Sequence, residues 1–220
     1  MKFNFIRSEL LEHIKNTIKP MYKTFDNAHN LSHFNFVTNN CINYAQELIS
    51  KGEIVDLEIA YVVGAYHDTG ISLGRDGHAL SSGEIVRQDK TLRKFYNSNT
   101  IELIAQAVED HSSHLSHSPR SIYGKIVADA DRNNSVYLVF SRPIKYGLKH
   151  DKNLNKTEHI IRVYDFVTQK FGKDGYVKYH LDISSTRQAQ NDVWELLANK
   201  EKCYAYISGL LDEITKGKLK

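Results

Sequence analysis

Three prolines and 12 glycines in 220 residues are too few for a chain of many tight turns, and they favour helices from the start. Only two cysteines are present. Cys41 and Cys203 each fall at an apolar position of a helical pattern and are expected as buried thiols in a reducing compartment, not as a disulfide or a metal pair. Nowhere do 18 apolar residues run together, so no membrane span is expected. The opening MKFNFIRSELLEHIKN has no long apolar region and no small-residue cleavage site, so no signal peptide and a cytoplasmic protein are expected. An excess of one charge is also missing: 29 Lys+Arg stand against 26 Asp+Glu, a net +3. That balance suits an anionic substrate without demanding one and is far from a nucleic-acid arm. A Walker-type phosphate loop and a nucleophile elbow with a Ser-His-Asp order are both lacking.

What is there is ordinary globular composition, 41% hydrophobic and 25% charged. It is long enough for one core and short enough for a single domain over 1–220, with a motif-bearing core at about 28–135 and a C-terminal helical part at 140–220. Apolar residues recur at helical spacing nearly throughout. Phe3, Ile6, Leu10, Ile14 and Ile18 predict a helix ending at Pro20, and Leu31 to Ile49 predict a second one. Asp56 can cap a third, apolar on most faces and therefore central, running into Tyr66-His67-Asp68. A short helix near 79–89, one capped by Thr100 and one opened by Ser121 follow. Residues 141–156 read as irregular, 157–171 as helix, 172–182 as a turn with room for a small hairpin, and a long helix runs from about Thr186. The fold class is all-α, a helical bundle.

Histidine is the anomaly. Seven of the 11 lie between residues 29 and 117, and imidazole is the commonest metal ligand. His29 and His33 are one helical turn apart and can share a face. His67-Asp68 closes a buried helix, where a carboxylate opposes the helix macrodipole and calls for a cation. Asp129 and Asp131 follow the apolar pair Ile126-Val127, so close to core positions that they need pairing or a metal. Imidazole and carboxylate without thiolate describe a catalytic site for a divalent ion, with Mn, Fe, Mg, Ni, Co and Zn not distinguished.

The order H…HD…D, with HFNFV, then AYVVGAYHDTG, then ADADR, resembles the HD superfamily of metal-dependent phosphohydrolases. GRDGHALSSGEIVRQD, EDHSS and KIVADADR resemble a small branch of stand-alone bacterial HD hydrolases. The resemblance runs from about 28 to 135, and nothing after 140 matches. It implies a helical bundle in which His33, His67, Asp68 and Asp131 hold a divalent ion. Asp131 is chosen over Asp129 because it directly precedes Arg132, as the family's ligand commonly precedes a basic residue or a short helical run. The ion would polarise a phosphoryl oxygen and activate a water, with His67 and Asp68 as the catalytic pair and a free oxygen of Asp68, or a neighbouring group, orienting that water.

Around this core, His78 and His111 are candidate substrate contacts or ligands to a second ion, and Arg75, Lys125 and Arg132 candidate phosphate contacts. His29 is balanced between a site hydrogen bonder and a helix-start residue. His114 and His117 read as solvated loop residues, and Tyr66 as a core side chain able to line a base pocket. The leading function is hydrolysis of a phosphate ester or anhydride, with a nucleotide as substrate and neither a nucleic-acid polymer nor a membrane as partner. HDTGIS lacks the acidic residues that follow the pair in alarmone hydrolases, and the spacing of His78 and His111 from the pair does not match the cyclic-dinucleotide phosphodiesterases. The rival from another class is a non-catalytic module that binds a nucleotide or metal.

Overall fold

The computed structural model describes residues 5–26, 29–112, 117–132 and 135–216, and among these it is all-α. The chain divides into two compact units, Met1–Arg132 and Asn133–Lys220, each with a core of its own.

In the first unit, α1 (Ser8–His13), a π-helical turn (Ile14–Ile18) and α2 (Lys19–Met21) run on as one helical stretch that buries Leu10, Ile14 and Ile18. The helix passes through Pro20 instead of ending there. A wide π turn precedes the proline, so its missing N–H falls where the regular ladder is already interrupted. The Asn30 side chain accepts from the Ser32 and His33 N–H groups and starts α3 (Leu31–Ser50), whose Phe34, Val37, Cys41, Tyr44 and Leu48 face inward. Asp56 caps α4 (Leu57–Tyr66) as its sequence suggests, and nearly every residue of that helix is buried. At Gly64 a Cβ would come within 2.9 Å of Cys41 Sγ, so this glycine lets α4 lie directly on α3.

A 3₁₀ turn (Thr69–Leu73) leads to α5 (His78–Gln88), α6 (Leu92–Phe95), α7 (Ser98–Glu109) and α8 (Ile122–Asp131). The cap of α7 is Asn97, which accepts from the Thr100 N–H, so Thr100 lies inside the first turn. Ser121 caps α8 as expected. Helix α4 packs on α3, α7 and α8, and α5 packs on α7 and the 3₁₀ turn. The ends of α4 and α8 and the start of α3 therefore meet.

The second unit comprises α9 (Val136–His150), α10 (Lys156–Phe171), α11 (Ser184–Ala198) and α12 (Lys200–Lys216). The stretch read as irregular is largely α9: Val139, Phe140, Ile144 and Gly147 form one buried stripe, and Pro143 is carried inside the helix. Arg162 Nη2 donates to the Pro143 carbonyl at 2.5 Å, tying α9 to α10. Segment 172–183 forms no strand. Its Tyr176 and Val177 N–H groups donate back to Gln169 and Lys170 of α10, which removes the partners a hairpin would need. The long final helix breaks at Asn199 into α11 and α12. Val163, Val167, Val193, Cys203, Ile207 and Leu210 make the core, each such apolar side chain contributing roughly 1.5–3 kcal/mol on burial. Both cysteines are free and buried, and no helix among the described residues is long and apolar enough to cross a membrane.

Candidate metal centre

The first turn of α3 supplies His33, the end of α4 supplies His67 and Asp68, and the last residue of α8 is Asp131. Their ligand atoms converge. His33 Nε2 lies 3.1 Å from His67 Nε2, 3.2 Å from Asp68 Oδ2 and 3.1 Å from Asp131 Oδ1. His67 Nε2 is 3.0 Å from Asp68 Oδ2. All but Asp131 are buried, and the side chain of Asp131 is 29% exposed.

Hydrogen bonding decides which way the imidazoles present their lone pairs. His67 Nδ1 donates to the Gly64 carbonyl at 2.8 Å, His78 Nδ1 to that of Arg75 at 2.8 Å and His111 Nδ1 to that of Val108 at 2.6 Å. Each donates to the residue three positions back. With the proton held on Nδ1, the Nε2 lone pair of each ring points into the cluster. His78 Nε2 and His111 Nε2 then face each other at 3.1 Å, and both face Asp68 Oδ1, at 3.4 and 3.5 Å.

Bare lone pairs at such separations repel unless a proton or a cation lies between them. Among the buried atoms, Asp68 Oδ2 and His33 Nδ1 have no hydrogen-bond partner. The electrostatics agree. Burial lowers the His33 pKa, but Asp131 and then Asp68 outweigh it and raise it to about 9. Burial likewise opposes protonation of His111, and Asp68 more than offsets it. Burial would raise Asp68 and Asp131, yet the surrounding imidazoles hold both below the ordinary carboxylate range. The cluster calls for positive charge. Among the described residues two groups could hold a metal ion, His33-His67-Asp68 and Asp68-His78-His111. The donor set of imidazole and carboxylate fits a divalent ion.

The family model described as HD domain matches residues 32–133. Residues 32–133 are an HD domain. No curated protein and no solved structure matches the chain. The four residues that the sequence resemblance names as ligands, His33, His67, Asp68 and Asp131, are the ones that meet.

The remaining sequence candidates separate. Asp129 is fully buried and held by Arg132 Nη1 at 2.6 Å, which leaves Asp131 to face His33. Asp68 has no oxygen turned to open solvent: Oδ2 faces His33 and His67, and Oδ1 faces His78 and His111. No free Asp68 oxygen is therefore there to orient a water, and the expectation of a neighbouring group in that role is untouched. His78 and His111 stand together around Asp68 Oδ1. Lys125 precedes Asp131 by six helical positions, roughly 240° around the helix and ~9 Å along it, so the two do not share a face. Arg75 is 69% exposed and pairs with Asp26 at 3.0 Å. Asp26 also holds His29 at 2.8 Å, and the His29 ring lies 5.8 Å from that of His33 and 6.3 Å from that of His78. His29 is thus at the rim of the cluster. Tyr66 is core: it is fully buried, and its hydroxyl donates to Asp89 at 2.6 Å. His117 is exposed, and His114 lies outside the described residues.

Sequence reading missed Tyr22. Its buried hydroxyl donates to the Ala65 carbonyl at 2.9 Å and accepts from the Asp68 N–H at 3.2 Å, so it holds the backbone on which the HD pair sits. It lies before residue 32 and outside the matched segment. Also missed was the network under His111, where Arg120 binds Asp110 and Glu109 and Arg87 binds Glu109 from the other side.

Proposed function

We propose that the protein is a metal-dependent phosphohydrolase that cleaves a phosphate ester or anhydride, a nucleotide being the substrate. The observation that carries this reading is the convergence of imidazole lone pairs and carboxylate oxygens from α3, α4 and α8 at 3.0–3.2 Å separations. His33, His67, Asp68 and Asp131 would hold one ion, and Asp68 with His78 and His111 could hold another. When bound, divalent ions supply electrophilic polarisation of the phosphoryl group and activation of the attacking water.

The chain's own residues do the rest. The Gly64, Arg75 and Val108 carbonyls fix the tautomers of His67, His78 and His111, and Tyr22 fixes the turn that carries Asp68. Arg75 neutralises the substrate phosphate. Its pairing with half-exposed Asp26 is a surface ion pair worth about 0–1 kcal/mol, so a phosphate can displace it at little cost. Arg132 acts through Asp129, as a positioning group behind Asp131.

Phosphate release from a panel of nucleotides and p-nitrophenyl phosphate, with Mn, Co, Ni and Mg in turn, tests the proposal. Ion-dependent turnover that disappears together with bound metal in His67→Ala supports it. A folded, metal-loaded protein that is inert across the whole panel would point instead to a non-catalytic binding module.

A further inference from the structure

The positive charge of the chain is not evenly spread. Residues 133–220 carry 15 Lys+Arg against 10 Asp+Glu, a net +5, while residues 1–132 carry 14 against 16, a net −2. Within the basic unit, a cleft of about 380 Å³ lies between segment 172–183 and α11, inside the ~300–1,000 Å³ span of small-ligand sites. Lys173, Lys178, His180, Arg187, Gln190 and Trp194 line it. The one acid in the lining is Asp182, which Arg187 binds. Among the described residues neither Lys173 nor Lys178 has a carboxylate partner, so two ammonium groups at the cleft are uncompensated.

The rest of the lining is suited to a planar ring. Trp194 Nε1 donates to the Phe171 carbonyl at 3.0 Å, which fixes the indole and leaves its ring system as an apolar wall. Lys173 Nζ lies 6.0 Å from the centroid of that ring, so a phosphate on the ammonium would sit beside a base on the indole. The Gln190 amide offers both a donor and an acceptor to a base edge. The first turn of α11 borders the cleft, and its N-cap Ile183 has no side-chain oxygen with which to cap it. That end of the helix dipole adds to the attraction for an anion.

We propose that this cleft binds a nucleotide, with phosphate on Lys173 and Lys178 and base against Trp194, as an effector site separate from the metal cluster. The proposal goes beyond the hydrolase reading and does not depend on it.

Trp194 is the chain's single tryptophan, so its fluorescence reports on the cleft. ATP titrated into full-length protein in EDTA, with excitation at the red edge of the indole band, should give a saturable change. The same titration with Lys173→Ala/Lys178→Ala should show affinity weakened at least about tenfold, and His67→Ala should bind like the parent. Tripolyphosphate, which has charge but no ring, should bind more weakly than ATP. No saturable change, parental affinity in the lysine variant, or equal binding of tripolyphosphate would each overturn the proposal. So would loss of the signal in His67→Ala, which would trace it to the metal cluster. Both lysines are exposed, and a melting curve of the double variant checks that the fold is intact. Should it fail to fold, Trp194→Phe with equilibrium dialysis of ATP replaces it, with about tenfold weaker binding expected and parental binding counting against the site.

Discussion

The two units bury different things. Among the described residues 15 polar or charged side chains are buried, and 12 of them belong to the first unit. They include five carboxylates, Glu58, Asp68, Glu109, Asp110 and Asp129, whereas the second unit buries only Ser141, His159 and Thr186. Buried carboxylates cost stability unless each finds a cation or hydrogen-bond donors. The first unit satisfies four through arginines and backbone and leaves Asp68 among imidazoles. The second unit is an apolar core inside a basic surface. The first unit holds desolvated charge, and the second carries its excess of charge outside its core.

The largest effect that could break this contrast is at Asp68. Asp68→Asn keeps the shape and removes the charge that both histidine groups face. Turnover should fall by roughly 10²–10⁴-fold or more, with helical circular dichroism unchanged. A folded, metal-loaded Asp68→Asn protein working at the parental rate would sink the assignment.

Metal should sharpen the contrast. In hydrogen exchange followed by mass spectrometry, Mn at about 100 times its Kd stabilises the state that binds it by ~2.7 kcal/mol. Peptides containing His33, His67 and His111 should gain protection. Peptides from α10 to α12 should exchange as before. Equal protection of both units would remove the contrast between them.

Much of this division can be read from the sequence, for physical reasons. Asp56 and Ser121 act as caps because a side-chain oxygen before an apolar run has one local use. His33, His67, Asp68 and Asp131 stand out because imidazole and carboxylate at core-facing positions require a partner. Helix α9 was hidden by Pro143, which lacks the N–H that would meet the Val139 carbonyl but is carried by the apolar stripe of the helix, while Arg162 donates to the Pro143 carbonyl from α10. Tyr22 carried no signal, since its hydroxyl meets Asp68 only after 46 residues of chain have folded back.

Tyr22→Phe is a smaller test of the same contrast. The ring stays, with its edge against Phe34 at 4.9 Å, but the Asp68 N–H and the Ala65 carbonyl lose their partner. An unsatisfied buried group costs about 1–3 kcal/mol. Loss of a supporting partner typically weakens metal binding about 10–100-fold. Titration with Co, followed by its visible absorption, should show weaker binding and a changed spectrum. An unaltered spectrum and affinity would reduce Tyr22 to a packing residue.

The smallest effect expected is on acid stability, and it should also fall on the first unit. Burial pushes the Glu58 pKa up, but hydrogen bonds from Arg7 and Tyr96 outweigh it and hold the folded value below the ordinary one. The Arg7 guanidinium and backbone N–H both reach this carboxylate, and the Tyr96 hydroxyl donates to it at 2.7 Å. A carboxylate with a depressed folded pKa binds fewer protons when folded than when unfolded. Its contribution is therefore complete above the unfolded value of about 4.3 and is lost as pH falls through the lower folded value. Urea unfolding followed by exchange in α4 peptides should show stability flat from pH 7 to about 5 and declining below about 4.3. Glu58→Gln should be less stable than the parent at neutral pH and show a shallower decline in acid, because the group that takes up the proton is gone. An identical acid slope in the parent and Glu58→Gln would show that the Arg7–Glu58 pair contributes nothing to the difference between the two units.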